Sequence, residues 1–332
     1  MIRNGFHTPG ILFTLLRNVN RQKLFLKKFI APELIAAQKS NDGSLDKEDF
    51  NKITGYYGLA VPAILGEALC VLRGTKMTLQ ERLALTCQGA ITGLGDDFFD
   101  KQDMADGLIK TLIENPDGLT GNNSSERLFL SFYKRALQNA HNREMTLQYL
   151  RRVFEAQKES RKQGVPGLCT KNELEMITIQ KGATSVLFYR TVLSNPLEKE
   201  EEEALFQMGG LMQLANDIFD VHKDCQKSID TLVTTVKNIL EVRVFFKSQM
   251  EKCFALFYNT RYPRKNVNHF LRLIAMSLCS RCFVCLDQLE EKEKETNNIF
   301  LPGQYERKDL VCDMQKTSNK LRTISYFIKH RF

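Results

Sequence analysis

The feature that most constrains this chain is a helical repeat of apolar residues that runs through nearly all of its 332 positions. Apolar side chains recur every three to four residues, and the alternating pattern typical of half-buried strands is scarce. Turn-forming residues interrupt the repeat at wide intervals, for example at 115–118 and 164–167. The uninterrupted stretches predict helices near the following residues: 9–30, 56–73, 78–104, 124–141, 143–162, 171–194, 198–224, 229–258, 266–292 and 304–330.

These long helices predict an all-α protein built as one large helical bundle. No Pro/Ser-rich linker, shift in composition or internal repeat divides the sequence, so we expect a single domain over residues 1–332. With 43% hydrophobic and 26% charged residues, the chain can bury a large core, which excludes general disorder. The apolar runs are interrupted before the ~20 residues that cross a bilayer, so no transmembrane segment is expected.

The formal net charge of +8 comes from basic residues spread along the chain. Because there is no basic block with interleaved aromatic residues, nucleic-acid binding is not predicted. The segment 1–32 is unusual, since it contains no acidic residue. Its cations are Arg3, Arg17, Arg21, Lys23, Lys27 and Lys28. We favour an N-terminal helix packed on the domain, with an amphipathic membrane-surface helix or an organellar leader as alternatives.

The nine cysteines occur in a large chain without secretory features, so reduced thiols and a cytoplasmic location are expected. Cys279, Cys282 and Cys285 form a CxxCxxC run within a predicted helix. Their three-residue spacing places the sulfurs along one helix face, and no fourth ligand follows at motif spacing. We therefore interpret them as small apolar core residues, with a metal site as the alternative.

An acidic cluster ends the predicted helix 78–104. Asp96, Asp97 and Asp100 are three to four residues apart, so their carboxylates converge on one side of the helix. The preceding stretch is apolar, and the glycines Gly89, Gly93 and Gly95 allow close packing. Carboxylates in such surroundings are costly without cations, and Mg²⁺ suits these hard oxygen ligands. The cluster therefore predicts a magnesium site.

A second cluster lies near the end of the predicted helix 198–224. Asn216, Asp220 and Asp224 fall at positions i, i+4 and i+8, which is one stripe over two turns. The neighbours Leu214 and Ile218 indicate that this helix is largely buried. We expect the two clusters to face each other, an arrangement suited to breaking an allylic C–O bond while metal ions take up the charge developing on a diphosphate.

These segments resemble the class I terpene synthase and trans-prenyltransferase superfamily. Residues 96–100 (DDFFD) resemble its aspartate-rich DDxxD motif. Residues 216–224 are similar to the NDxxSxxxE metal triad of the cyclases, with Asp220 in place of Ser or Thr and Asp224 in place of Glu. The resemblance implies an isoprenoid synthase-like bundle with a central apolar cavity and a prenyl diphosphate substrate. It also implies a set of three Mg²⁺ ions, with Mn²⁺ as a substitute, and is compatible with a homodimer.

Further site residues follow from the same resemblance. Lys181 is expected to hold the diphosphate just before a small-residue helix break at Gly182–Ala183, and Phe98 and Phe99 to stabilise a carbocation. Four more side chains are candidates for contacts with the diphosphate: Arg190, Lys223, Tyr305 and Arg307.

The main functional hypothesis is a terpene synthase that ionises a linear prenyl diphosphate and cyclises or rearranges the carbocation. The alternatives are a trans-prenyltransferase, by chain elongation or squalene/phytoene synthase-like joining, and a non-catalytic helical subunit of the same fold. The chain lacks a GGKR-type segment and the Arg pair that follows the first DDxxD in elongating enzymes. Both absences disfavour condensation. Chain length and product skeleton depend on cavity shape and are not predicted.

Overall fold

The computed structural model describes residues 4–102 and 104–329, without the side chain of Asp100. No β-strand occurs in these residues, so the prediction of an all-α protein is confirmed. The described helices, numbered in chain order, are α1 (Thr8–Phe29), α2 (Ala31–Lys39), α3 (Lys47–Arg73), α4 (Leu79–Asp100), α5 (Asp106–Glu114), α6 (Ser124–Asn139), α7 (Arg143–Ser160), α8 (Lys171–Arg190), α9 (Lys199–Phe219), α10 (Val221–Gln226), α11 (Ile239–Asn259), α12 (Arg264–Glu295), α13 (Arg307–Leu310) and α14 (Thr317–Lys329).

Several helix boundaries differ from the predicted ones. α2 and α5 were not predicted, because nine residues show too little periodicity. α11 begins at Ile239 rather than near residue 229, since the threonines before it bond the local backbone. Thr234, for example, donates to the carbonyl of Ile229 at 3.0 Å. The predicted helix 304–330 is two helices, separated by the irregular segment 311–316.

Local capping explains where the helices near the acidic residues start and stop. α4 begins at Leu79 because Thr78 and Glu81 form a reciprocal capping box, with bonds of 2.8 and 3.1 Å. α3 ends at Arg73, because the following Gly74 has a φ of 70°, a left-handed conformation that glycine adopts without a Cβ clash. Within α3, Pro62 lies in a wide π-helical turn, Val61–Gly66, because proline supplies no N–H for the regular ladder.

The chain divides into two compact units. The amino-terminal unit consists of Leu12–Phe154 and Phe188–Leu197, and the carboxy-terminal unit contains the remaining described residues. In the amino-terminal unit α4 packs against α6 and α3, whereas in the carboxy-terminal unit α9 packs against α11 and α12, and α12 against α14. This division does not decide the prediction of one domain over residues 1–332, which stays a prediction.

Two helices in the described part of the chain, Lys47–Arg73 and Arg264–Glu295, are long and apolar enough to cross a bilayer by length and composition. Neither was predicted from the sequence at this length. In their most apolar windows 61% and 72% of the residues are buried inside the protein, and core helices pass the same test. The prediction of no transmembrane segment therefore stays a prediction.

Candidate metal-binding acidic clusters

Glycines in α4 bring α3 close to the first acidic cluster. A Cβ at Gly89 would lie 2.6 Å from the carbonyl oxygen of Tyr57, and one at Gly93 would lie 3.2 Å from the Cβ of Lys52. Only a bare glycine surface allows this approach. The contact places Tyr57 and Lys52 beside the acidic end of α4, which bears out the close packing expected at Gly89 and Gly93. At Gly95 a Cβ would meet only the Phe129 ring at an ordinary 3.7 Å, so no close packing requires that glycine. A π-helical turn, Lys52–Tyr56, lies in α3 at this point.

Asp96 is half-buried and accepts a hydrogen bond from the hydroxyl of Tyr57, with an O–O distance of 3.1 Å. The negative charge of Asp96, together with burial, raises the pKa of Tyr57 well above its usual value. The phenol therefore stays protonated and acts as a donor that orients one carboxylate oxygen of Asp96. One carboxylate of the predicted cluster is thus positioned in advance.

Asp97 is 3% exposed and pairs with lysines. Its Oδ1 lies 2.5 Å from Nζ of Lys52, and its Oδ2 lies 3.7 Å from Nζ of Lys101. Oδ2 is buried without a hydrogen-bond partner. Burial and the neighbouring carboxyl of Asp49 raise the pKa of Asp97 to about 6, although both lysines act to lower it. The geometry therefore favours ion pairing for Asp97, which was predicted as a metal ligand.

Lys101 joins Asp97 to a second pair of acids. Its ammonium lies 3.0 Å from Oδ2 of Asp46 and 3.0 Å from Oδ1 of Asp49, and Asp49 is buried. Asp46 and Asp49 form the capping box that starts α3. Acids and lysines of α3 and α4 thus form one ion-pair network. Asp100 is the last residue of α4, and since its side chain lies outside the described residues, its role as a ligand stays a prediction.

The two phenylalanines inside the first motif have different surroundings. Phe98 is fully buried, with its ring 5.1 Å from that of Phe129 in α6. This geometry makes Phe98 a core residue, and its predicted role beside a carbocation finds no support here. Phe99 is half-buried, with its ring 5.8 Å from that of Phe154. It remains a candidate for contact with an apolar substrate chain.

A close helix crossing positions the second acidic cluster. A Cβ at Gly182 in α8 would lie 2.0 Å from the carbonyl oxygen of Gly209 in α9, and one at Gly209 would lie 2.4 Å from the Cα of Ala183. The predicted break at Gly182–Ala183 does not occur, because α8 continues to Arg190. The small residues serve instead to let the two backbones touch.

The crossing brings Thr178 of α8 to Asp217 of α9. The Thr178 hydroxyl donates to Oδ2 of Asp217 at 3.1 Å, and Nε2 of Gln213 donates to Oδ1 at 2.9 Å. Burial raises the pKa of Asp217 to about 6, while these donors and the charge of Lys181 lower it in part. Both of these donors are neutral, and residues 4–102 and 104–329 show no short ion pair to Asp217.

The predicted stripe of Asn216, Asp220 and Asp224 is preserved across a small helix irregularity. α9 ends at Phe219 and α10 begins at Val221, yet the backbone bonds into and out of Asp220 keep the helical spacing at 2.9 Å each. Nδ2 of Asn216 lies 3.4 Å from Oδ2 of Asp220. An amide and two carboxylates therefore follow one helix face.

Asp224 is 9% exposed. Burial, followed by the charges of Asp217 and Asp220, raises its pKa to about 7, while Lys223 and Lys181 act to lower it. The ammonium of Lys223 is exposed and lies 3.7 Å from Oδ2 of Asp220. The nearby lysines therefore compensate for only part of the negative charge of Asp217, Asp220 and Asp224.

The remaining predicted diphosphate contacts lie in varied settings. Lys181 is half-buried in α8, where its charge reaches Asp217 and Asp224, so its role stays a prediction. Arg190 is 1% exposed and donates to the carbonyls of Leu193, Asn195 and Pro196 at 3.3–3.4 Å, which are bonds that close the end of α8. This geometry gives no support to diphosphate binding by Arg190.

Two C-terminal candidates complete the predicted set. The hydroxyl of Tyr305 lies 2.6 Å from Oγ1 of Thr296, and its ring packs 5.6 Å from that of Phe300, which indicates a local structural role. Arg307 is exposed at the start of α13. Neither position decides the predicted contact with a diphosphate.

Oxygen donors rather than thiols fit a metal in this chain. Cys279, Cys282 and Cys285 are buried free thiols, as the core interpretation predicted. In residues 4–102 and 104–329, no three His, Cys, Asp or Glu side chains are already gathered as a metal site. The negative charge crowded around Asp224 nevertheless fits a divalent cation with oxygen ligands.

Several hydrogen-bond and ion-pair partners of the acids were not predicted from the sequence. Lys52, Asp49 and Thr178 come from other helices, so no local spacing indicated them. Gln213 lies one turn before Asp217 on the same helix, and that four-residue spacing was a readable signal. The predicted facing of the two clusters and the central apolar cavity stay predictions.

No protein-family model matches this sequence, and no curated protein matches it either. Among solved structures, the chain is similar to a crystal structure of a dehydrosqualene synthase in complex with ligand. The two share 13% sequence identity with a TM-score of 0.49, and the match covers 85% of this chain and 96% of the other. This is a similarity of helical architecture, so a function has to be argued from the residues of this chain.

Proposed function

We propose that this chain is a Mg²⁺-dependent isoprenoid synthase that acts on a prenyl diphosphate. The observation that carries the proposal is the stripe of Asn216, Asp220 and Asp224, whose oxygens follow one face of a largely buried helix. A buried carboxylate, Asp224, next to a half-buried one, Asp220, is costly unless a cation binds them. The DDxxD resemblance of the first cluster supports the same chemistry.

The roles within the proposal follow from the contacts of each side chain. Asn216, Asp220 and Asp224 would hold Mg²⁺ in one unit, and Asp96 and Asp100 would hold it in the other. Bound Mg²⁺ supplies Lewis-acid stabilisation of the charge that develops on the diphosphate as the C–O bond breaks.

The other polar groups position the metal-binding carboxylates or neutralise negative charge. Tyr57 donates to Asp96 and fixes the direction of its carboxylate. Lys181 and Lys223 add positive charge beside the second stripe and would bind diphosphate oxygens. Asp97 is committed to Lys52 and Lys101, so it holds these two cations in place.

A second candidate function is the joining of two prenyl chains. Asp96 and Asp100 are four residues apart, and so are Asp220 and Asp224. Each cluster thus contains a carboxylate pair with the same one-turn spacing, which favours two similar diphosphate-metal sites. The cyclase alternative uses one substrate and has no need for this equivalence.

Product analysis tests both candidates. The purified full chain is incubated with Mg²⁺ and with geranyl, farnesyl or geranylgeranyl diphosphate, and released diphosphate and organic products are measured. We expect Mg²⁺-dependent release of diphosphate. A product with the carbon count of one substrate selects ionisation and rearrangement, and one with twice that count selects joining. Absence of release with every substrate would overturn the proposal in favour of a non-catalytic protein.

Variants of the second stripe test which residues carry the activity. Asp220→Ala and Asp224→Asn are each expected to lower kcat/KM by at least about a hundredfold, because each removes a metal ligand. Glu203→Gln serves as the matched control, since Glu203 is an exposed acid on α9, the helix that carries Asn216. Equal losses in all three variants would contradict a metal-binding role for the stripe.

A further inference from the structure

The rotation of α1 about its axis is fixed by polar contacts on its inner face. Nε2 of Gln22, which is fully buried, donates to the carbonyl of Gly58 and to Oγ1 of Thr86, both at 2.9 Å. Its Oε1 accepts from Nη1 of Arg82 at 2.9 Å. Because these bonds fix one face inward, the opposite face of α1 is held toward solvent.

That outer face exposes large apolar side chains. Phe13, Leu16 and Leu24 are 65%, 64% and 71% exposed, although side chains of this kind are usually buried. With 3.6 residues per turn, all three lie on the side away from Gln22. Leu79, at the start of α4, is 60% exposed.

A groove continues this apolar surface. It has a volume of about 300 Å³ and lies between α1 and the start of α4. Leu24, Phe29 and Leu79 line it, together with the cations Arg21 and Lys28. The groove therefore combines apolar walls with positive charge at the same place.

Positive charge surrounds the exposed apolar residues. Arg17, Lys23, Lys27 and Lys28 are all exposed, and the sequence has no acid from position 1 to 32. Arg21 lies 3.6 Å from Glu67, yet its side chain remains 57% exposed. The outer face of α1 thus consists of apolar side chains flanked on both sides by cations.

We propose that the outer face of α1 binds the surface of an anionic lipid bilayer. The cations match the negative headgroups, and Phe13, Leu16 and Leu24 enter the boundary between headgroups and acyl chains. A nucleic acid would also attract the cations, but its phosphate backbone offers nothing to the exposed leucines. The combination of charge and apolar surface therefore favours lipid.

Vesicle sedimentation tests the proposal with the full chain. The protein is mixed, without Mg²⁺ or prenyl diphosphate, with vesicles of phosphatidylcholine alone or of an equimolar mixture with phosphatidylglycerol. We expect binding to the anionic vesicles that weakens as salt is raised, and little binding to the neutral ones. Equal binding to both vesicles, or binding to neither, overturns the proposal. Since no substrate is present, the outcome is independent of the proposed catalytic function.

Two sets of variants separate charge from apolar contact. The triple variant Lys23→Ser, Lys27→Ser and Lys28→Ser is expected to bind anionic vesicles about a hundredfold more weakly, at about fivefold for each cation. The double variant Phe13→Ser and Leu24→Ser keeps the charges and is also expected to bind more weakly.

The matched control is Leu240→Ser with Val244→Ser, which removes two apolar side chains that are 54% and 60% exposed on α11. It should bind like the unaltered protein, and an equal loss in this control overturns the assignment to α1. If the protein binds duplex DNA but does not bind anionic vesicles, the lipid proposal is overturned in favour of nucleic acid.

Discussion

The two acidic clusters differ in how their carboxylates are held. In the first, Asp97 lies 2.5 Å from the ammonium of Lys52, and Lys101 connects it to Asp46 and Asp49. In the second, the buried Asp217 accepts hydrogen bonds from neutral donors. Ion pairs position the first cluster, whereas a contact between two helix backbones positions the second.

This difference shows where a cation is needed most. The ammonium groups of the first cluster already offset part of its negative charge, so its acids are arranged before any ligand arrives. In the second cluster burial and neighbouring acids raise the pKa of Asp224 to about 7, whereas the pKa of Asp97 beside its two lysines rises to about 6. If the proposed Mg²⁺ binds, the second cluster would therefore gain more from it than the first.

The largest expected effect comes from breaking the backbone contact of the second cluster. Gly182→Ala places a Cβ 2.0 Å from the carbonyl oxygen of Gly209, and backbone atoms cannot move aside as a flexible side chain does. We expect the free energy of unfolding, measured in urea, to fall by more than about 3 kcal/mol.

The control for this change is Gly107→Ala in α5, where a Cβ meets nothing within 4 Å. Alanine is the better helix former, so this variant should be neutral or more stable by up to about 1 kcal/mol. If Gly182→Ala were as stable as the control, the helix crossing would not hold the second cluster, and the contrast between the clusters would be lost.

The next effect comes from removing charge in the first cluster. Lys52→Met keeps most of the side-chain volume but leaves the buried Oδ1 of Asp97 without its ammonium partner. We expect a loss of about 2–3 kcal/mol in the free energy of unfolding, since a buried acid that loses its partner is strongly destabilising.

Lys110→Met is the matched control, because Lys110 is exposed and lies 3.9 Å from Glu114 one turn away. Exposed pairs of this kind contribute about 0.5 kcal/mol or less. A loss at Lys52 no larger than at Lys110 would mean that Asp97 does not depend on its ion pair.

The sequence predicted the positions and helical spacing of the acids better than the groups that surround them. The acids, their helical spacing and the close packing at Gly89 and Gly93 could all be read from local patterns. Lys52 lies 45 residues before Asp97, and no periodicity connects positions that meet only through tertiary packing. The same limit explains the misread Gly182, because a glycine in a helix can mark either a break or a close crossing.

The smallest expected effect concerns a buried acid whose negative charge is fully compensated by its neighbours. At the other end of α4, burial alone would raise the pKa of Glu81, but backbone N–H groups of Thr78 and Ser194 and the guanidinium of Arg73 lower it to about 2. The guanidinium lies 3.2 Å from Oε1 of Glu81. The buried charge of Glu81 is thus fully compensated by its neighbours, and the acids of both clusters can be compared with it.

Because the folded-state pKa of Glu81 lies below the ordinary value of 4.5, its carboxylate stabilises the folded protein above about pH 4.5. That stability is lost as the pH falls through about 2. At pH 7, Glu81→Gln is therefore expected to lower the free energy of unfolding by about 2 kcal/mol, and the difference from the unaltered protein should vanish as the pH approaches 2.

The control is Glu251→Gln, at an exposed pair with Lys247, which should change the free energy of unfolding by less than about 0.5 kcal/mol. A deficit in Glu81→Gln that stays constant down to pH 2 would show that shape, rather than the charge of Glu81, stabilises this end of α4.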